Sequence, residues 1–309
     1  MAYVVEELRA AYQDSSPPDA ASSANGRDIA SEAIETAFEK LDRDVLEAGR
    51  ATIEASLPTA EIFSRLALAY SGSCAVLGIF DVRSHVLRVA CVGDSRAVLG
   101  RRTKGDAYET IALSEDQNCH NWSEVSRLLR EHPDEPNMIQ EDRVVGMAIT
   151  RGFGDARWKY TRDELQRLKK EFFGHRPDED LLTPPYLTAK PVVTTTEIQA
   201  GDFMIIASDG LWYDMPSEEA VMLVGEWLKG RQEGEQKSTS KVEPNTERTD
   251  VMDGKGEPAG KIDQVPSEDI PVLDDNAATH LARYALGGTD EQMVTANLTL
   301  RPPVSRDVR

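Results

Sequence analysis

The sequence lacks the features that mark secreted, membrane-spanning or disulfide-stabilised proteins. No apolar run in its 309 residues approaches the roughly 18 residues needed to cross a bilayer. Its first residues contain no basic segment followed by an apolar one and are not arginine-rich, so no signal or transit peptide is indicated. The three cysteines, Cys74, Cys91 and Cys119, are odd in number and lack metal-ligand spacing, which favours a reducing compartment. We therefore expect a protein that is neither secreted nor inserted in a membrane.

Positive charge is also scarce. Lys and Arg number 35 against 54 Asp and Glu, which gives a formal net charge of −19. Because like charges repel, nucleic acid and anionic membrane surfaces are not expected partners. Bound divalent cations would relieve part of this repulsion. The carboxylates are therefore the candidate ligands for such cations.

Hydrophobic periodicity separates helical from extended segments. An amphipathic helix is expected at the N-terminus, and further helices are predicted at 28–49, 59–70, 122–131, 163–172, 217–230 and 276–286. Runs rich in Val, Ile and Leu, separated by tight polar turns, predict strands at 74–80, 86–92, 96–100, 108–113, 143–150, 192–198 and 203–207. Residues 289–309 are expected to form a loop. Helices and strands in separate runs favour an α+β protein with antiparallel sheets and helices packed outside.

Two polar segments interrupt this pattern. Residues 14–27 are rich in Ser and Pro and predict a loop. Residues 231–270 have almost no apolar content and no periodicity, so they cannot bury enough surface to offset the entropy of ordering. We interpret 231–270 as a disordered acidic and polar insertion within a single domain that spans 1–309.

Two aspartates stand where predicted strands end. Asp209 follows the apolar run 203–207, whose lack of polar alternation predicts a strand covered on both faces, and Asp94 follows the strand 86–92. An ordinary turn accounts for either residue alone. Together, each beside a glycine, they suggest an oxygen-ligand site for Mg²⁺ or Mn²⁺, where a bound water could be activated to attack phosphorus.

Five short motifs occur in an order that resembles the metal-dependent, PPM-type (type 2C) serine/threonine protein phosphatases. They are VGDSRAVL at 92–99, LSEDQN at 113–118, MAITRGFGD at 147–155, KPV at 190–192 and ASDGLW at 207–212. The long segment after Asp155, the Gly287-Gly288 pair and the terminal 305–307 are similar to the pyruvate dehydrogenase phosphatase-like branch. The resemblance covers nearly the whole chain apart from 14–27 and 231–270.

This resemblance implies an αββα sandwich of two antiparallel sheets with a two-metal Mg²⁺ or Mn²⁺ centre. The implied reaction is hydrolysis of phosphoserine or phosphothreonine in a phosphoprotein substrate by metal-activated water. Asp209 matches a ligand of the catalytic metal pair, and Asp94 matches an aspartate associated with an additional, more weakly bound metal. Segment 150–155 matches architectural support near the site. The branch suggests mitochondria, with the cytoplasm as the alternative.

Several family features are not found in the 309 residues. The Asp-Gly-His-Gly-Gly motif that should precede the first helix is absent, as are an N-terminal acidic residue and a phosphate-binding arginine. A final Asp-rich strand would begin after Arg309, and Tyr213 stands where many members have a second aspartate, with Asp214 one place late. We therefore expect a chain that is truncated at both ends, lacks terminal strands of the sandwich and binds metal weakly.

No catalytic residue is assigned from the sequence, and two functions remain open. The first is a metal-dependent phosphatase domain with weak or no activity in these residues alone. The second is a phosphatase-like protein without catalysis that serves in binding or regulation.

Overall fold

The computed structural model describes residues 1–13, 28–55, 57–105, 107–172, 174, 176–239 and 274–299. The helices of this part of the chain are α1 (Ala2–Gln13), α2 (Ile29–Glu54), α3 (Thr59–Tyr70), α4 (Trp122–Glu131), α5 (Arg162–Phe172), α6 (Asp209–Asp214), α7 (Ser217–Thr239), α8 (Ala277–Leu286) and α9 (Glu291–Thr299). The strands are β1 (Gly72–Ser73), β2 (Ala75–Asp81), β3 (Val86–Val92), β4 (Arg96–Arg102), β5 (Tyr108–Ala112), β6 (Ile139–Gln140), β7 (Arg143–Val144), β8 (Phe153–Gly154), β9 (Val192–Glu197) and β10 (Phe203–Ala207). None of the described helices has the length and hydrophobicity needed to cross a bilayer.

These residues form two compact units, one built from 1–101 and 111–212 and the other from 102–110 and 213–309. The larger unit contains two antiparallel sheets. In the first sheet, β3 lies between β2 and β9. In the second, β4 lies between β10 and β5, and β10 pairs antiparallel with β4. The predicted α+β class with antiparallel sheets is confirmed.

Strand β3 contributes side chains to two apolar clusters because successive side chains of a strand point to opposite faces. Leu87 and Val89 on one face pack with Leu99 of β4, which joins the two sheets. Ala90 and Val92 on the other face pack with side chains of α2, among them Ile34, Ala37 and Phe38. The larger unit is therefore layered as helix, sheet and sheet, with α1 also packed against α2.

The smaller unit is built mainly from helices α7, α8 and α9. The buried face of α7 carries Ala220, Val221, Leu223 and Val224, as the helical periodicity predicts. Trp227 Nε1 donates to the carbonyl oxygen of Asp274 at 2.8 Å, which ties α7 to the residue before α8. The Asp274 carboxylate also pairs with Arg283 at 2.9 Å.

Several predicted elements differ from the structure. The strand predicted at 143–150 is reduced to the short hairpin of β6 and β7, because residues 147 and 149 form isolated bridges instead. Helix α7 continues to Thr239, nine residues beyond the predicted end at Gly230, since Arg, Gln, Glu and Lys favour helix. The predicted insertion beyond 239 and the loop at 14–27 lie outside the described residues.

Helix α9 occupies part of the region where a loop was predicted. It forms because Asp290 Oδ1 accepts from the backbone N–H groups of Gln292 and Met293, both at 2.9 Å, which caps the helix start. Helix α2 likewise continues past Gly49, the predicted C-cap. A Cβ at Gly49 would lie 2.4 Å from the Tyr160 hydroxyl oxygen, so this glycine permits close packing and does not end the helix.

Candidate functional site

The Gly93–Asp94 turn joins β3 to β4 and requires a glycine. Gly93 has a φ of +103°, and a Cβ there would lie 2.3 Å from Cys74 Sγ. The same Cys74 thiol donates to Asp94 Oδ1 at 3.2 Å. Cys74 therefore packs directly beneath the turn and holds the carboxylate of Asp94.

Both predicted metal-binding aspartates act on this thiol. Burial, together with the negative charges of Asp94 and Asp209, raises the pKa of Cys74 to about 12. Both carboxylates therefore exert an electrostatic effect on one thiol, although they are 115 positions apart in the sequence (209 − 94). With so high a pKa the sulfur stays protonated at neutral pH, so Cys74 serves as a hydrogen-bond donor and not as a thiolate ligand.

The surroundings of Asp209 differ from the prediction. Strand β10 is not covered on both faces, since Met204 is 39% exposed and Ile206 44% exposed. Asp209 is itself exposed and is the first residue of α6, where a negative charge is favoured by the helix dipole. The predicted coverage of this strand on both faces was therefore wrong. The environment of the Asp209 carboxylate alone therefore does not indicate a metal ion.

Arg96 links the turn to helix α6. Its guanidinium pairs with Asp116 through two hydrogen bonds of 2.9 and 2.7 Å. The same group lies over the Trp212 ring at 5.4 Å from the centroid. Trp212 Nε1 donates to the carbonyl oxygen of Ala207 at 3.0 Å, so α6 is held against the end of β10.

A buried glutamine, Gln117, supports the turn and was not singled out from the sequence. It is 1% exposed. Its Oε1 accepts from Gly93 N at 2.7 Å and its Nε2 donates to the carbonyl oxygen of Cys91 at 3.0 Å. Its backbone N–H also donates to the carbonyl oxygen of Gly93 at 3.0 Å. The only signal in the sequence was its position within the motif at 113–118.

Segment 150–155 is held by a buried ion-pair network. Arg151 binds both oxygens of Glu124, with distances of 3.0 and 2.6 Å. Thr150 Oγ1 and Arg127 donate to the same carboxylate at 2.7 and 2.9 Å. Burial works to raise the pKa of Glu124, but the hydrogen bonds from Arg151 and Arg127 outweigh it and lower the pKa to about 2. Glu124 is therefore ionised at neutral pH.

The charges of the candidate site contrast with those around it. Glu124 and Asp116 have arginine partners, whereas neither Asp94 nor Asp209 forms an ion pair with a Lys or Arg in the ranges described. Carboxylate oxygens are the ligands that Mg²⁺ and Mn²⁺ prefer. In the same ranges, no group of three or more His, Cys, Asp and Glu side chains is arranged to bind a metal ion. Asp94 and Asp209 alone are too few for a two-metal centre.

The order of the five motifs and the two antiparallel sheets are those expected for the type 2C protein phosphatase class. The profile of the protein phosphatase 2C family matches residues 13–249, which is more than half of the chain. The chain belongs to the protein phosphatase 2C family, and the resemblance drawn from the five motifs is confirmed.

The chain is similar to several known members. It is 39% identical over 280 residues to a protein phosphatase 2C homolog of Schizosaccharomyces pombe, covering 89% of this chain and 59% of that protein. It is 34% identical over 298 residues to mitochondrial pyruvate dehydrogenase (acetyl-transferring) phosphatase 1 of Saccharomyces cerevisiae, covering 90% and 51%. The human phosphatase 1 of the same name is 31% identical over 303 residues, covering 90% and 52%. The chain therefore spans between about half and three fifths of the length of these relatives.

Among solved structures, a serine-threonine phosphatase 2C from Toxoplasma gondii matches 75% of this chain and 68% of its own. The sequence identity is 19% and the TM-score is 0.46.

Proposed function

We propose that this chain provides the core of a metal-dependent protein phosphatase that hydrolyses phosphoserine or phosphothreonine in a protein substrate. The single observation that carries the proposal is that Asp94 and Asp209, both within family motifs, act on the Cys74 thiol, Asp94 through a hydrogen bond and Asp209 through its charge. Their lack of a described cationic partner leaves both carboxylates available for Mg²⁺ or Mn²⁺. A bound ion of this kind lowers the pKa of its water and orients a phosphoryl group.

The residues of this chain would contribute to the hydrolysis by holding the cation and the turn in place. Asp209 and Asp94 would hold the hydrated cation, and Cys74 and Gln117 would keep the turn that carries Asp94 in place. Two carboxylates are a weak ligand set, so we expect the 309 residues alone to bind the ion weakly and to have low or no turnover. The longer relatives support a larger protein in which further ligands complete the site.

The names of two relatives suggest a substrate class and a cellular compartment. Two of those described above are named as mitochondrial pyruvate dehydrogenase phosphatases. We therefore propose a mitochondrial phosphoprotein as the substrate class, with the cytoplasm as the alternative compartment. The net charge of −19 argues against nucleic acid as a binding partner.

Metal binding tests the proposal most directly. Titration calorimetry or Mn²⁺ electron paramagnetic resonance on the chain should detect one weak site, and Asp209→Asn should weaken it about tenfold. An exposed carboxylate close to a divalent ion contributes on the order of 1–2 kcal/mol, and 1.4 kcal/mol is tenfold in affinity. A phosphopeptide hydrolysis assay with Mn²⁺ accompanies the titration.

The matched control is Asp214→Asn, an exposed aspartate at the other end of α6 that does not act on the Cys74 thiol. This variant should bind Mn²⁺ as the unsubstituted chain does. Equal weakening by both substitutions would indicate nonspecific attraction to an acidic surface. Absence of any Mn²⁺ site, even in a longer chain containing the missing motifs, would favour the non-catalytic alternative.

A further inference from the structure

Segment 150–155 reaches the Gly93–Asp94 turn by two separate routes. The first passes through Gln117. Thr150 N donates to the carbonyl oxygen of Gln117 at 2.9 Å, and the Gln117 side chain accepts from Gly93 N at 2.7 Å. Movement of the segment at this end would therefore displace the Gly93–Asp94 turn.

The second route passes through strand β1. Gly154 of β8 pairs with Gly72 of β1, and the contact is close, because a Cβ on Gly154 would lie 2.1 Å from the carbonyl oxygen of Ser71. Two residues after Gly72 the chain reaches Cys74, whose thiol donates to Asp94. The segment is thus connected to the Asp94 carboxylate at both of its ends.

A buried ion pair from helix α2 holds the middle of the segment. Asp42 Oδ1 accepts from Gly154 N at 2.8 Å, and both Asp42 oxygens lie 2.8 Å from Lys159 Nζ. The same Nζ donates to the carbonyl oxygen of Gly152 at 2.6 Å. Both side chains are largely buried, so water would solvate either charge poorly if the pair were broken.

We infer that Asp42, together with Lys159, is a positioning residue that sets the Asp94 carboxylate through segment 150–155 and strand β1. The contacts form a continuous chain from α2 to Gly154, Gly72, Cys74 and Asp94. In this inference Asp42 acts only through these contacts. Its importance for catalysis rests on the proposed function, whereas its control of the turn is a property of the fold alone.

The test measures access to Cys74 in the absence of metal and substrate. The chain is treated with N-ethylmaleimide under native conditions, and labelling of each cysteine is followed by mass spectrometry. Asp42→Asn keeps an acceptor for Gly154 N but removes the charge, and it should raise the Cys74 labelling rate about tenfold, the factor that corresponds to 1.4 kcal/mol of local destabilisation. Asp42→Ala removes the acceptor as well and should raise the rate further.

Cys91 and a matched substitution separate local from global effects. Cys91 is 1% exposed in the central strand β3, so its labelling should not change in Asp42→Asn. Asp28→Asn removes the pairing of Asp28 with Arg88 at the start of the same helix and should leave Cys74 labelling unchanged. An unchanged Cys74 rate in Asp42→Asn, or parallel increases at Cys74 and Cys91, would overturn the inference.

A second variant covers the case in which Asp42→Asn does not fold. Lys159→Met removes the cation and leaves Asp42 free to accept from Gly154, and it should also raise labelling at Cys74 and not at Cys91. No change, or a change at both cysteines, contradicts the positioning role. If the chain passes this test but Mn²⁺ binds neither to it nor to a longer chain containing the missing motifs, the proposed function is overturned and the positioning of Asp94 stays intact.

Discussion

Replacing Glu124 by glutamine tests whether a buried ionic network holds segment 150–155. The Glu124 side chain is 3% exposed, and its pKa of about 2 compares with an ordinary value of 4.5. That difference corresponds to about 3 kcal/mol of stabilisation of the ionised form. Since the variant also leaves Arg151 without its counter-charge, we expect Glu124→Gln to cost about 3 kcal/mol at pH 7, within the range typical of broken buried pairs.

The effect should depend on pH with a definite sign. The pKa of Glu124 is lower in the folded protein than in the unfolded chain, so its contribution is complete well above pH 4.5 and is lost as the pH falls toward 2. At pH 3.5 the unfolded chain is already mostly protonated at this position while the folded protein is not. The difference between the parent chain and Glu124→Gln should therefore shrink by about 1 kcal/mol between pH 7 and pH 3.5.

Urea titration followed by hydrogen exchange of peptides from α4 and segment 150–155 measures this difference within the larger unit. The control is Glu131→Gln on the same helix, which removes a half-exposed partner of Arg127 and should cost less than about 1 kcal/mol. A cost for Glu124→Gln as small as that of the control would refute the reasoning. So would a cost that is equal at the two pH values.

Two further substitutions test close packing at glycines. Gly93→Ala would place a Cβ 2.3 Å from Cys74 Sγ at a residue whose φ is +103°. It should therefore destabilise the larger unit by about 2 kcal/mol or more, as measured by urea titration. The control Gly105→Ala, at a position with open space around it, should be nearly neutral in the same titration. Gly49→Ala should destabilise by about 1–3 kcal/mol despite its better helix propensity, because the new methyl meets the Tyr160 hydroxyl. Adding Tyr160→Phe removes that hydroxyl and should restore part of the loss, and a double variant no more stable than Gly49→Ala would show that the contact is not the cause.

Elements defined by local pattern were predictable from the sequence. The bounds of α3, α4, β3 and β10 were predicted to the residue, because the periodicity and the polar turns that define them lie within a few positions. Helix α9 was missed because its start depends on one capping side chain, Asp290, and its sequence has little amphipathic pattern. The end of α2 was misplaced because the reason for Gly49 is Tyr160, which lies 111 positions away (160 − 49).

The candidate site was predictable only in part. Asp94 and Asp209 could be found because each follows an apolar strand within a recognisable motif. Their approach to Cys74 depends on how β1, β3 and β10 are arranged, and no local pattern contains that information. The exposure of Asp209 was missed for a related reason. The apolar run before it indicates burial on both faces, but Met204 and Ile206 of β10 are partly exposed.

The distribution of buried charge explains why the site can tolerate unpaired carboxylates at all. Asp42 and Glu124 carry their charges in the interior, where an unpaired ion would be far more costly than at the surface, and each has a cationic partner. Asp209 is exposed and Asp94 half-buried, so water can solvate them when no cation is bound. The fold thus separates two kinds of acidic residue. The paired carboxylates Asp42 and Glu124 stabilise the interior, whereas Asp94 and Asp209 remain accessible to solvent.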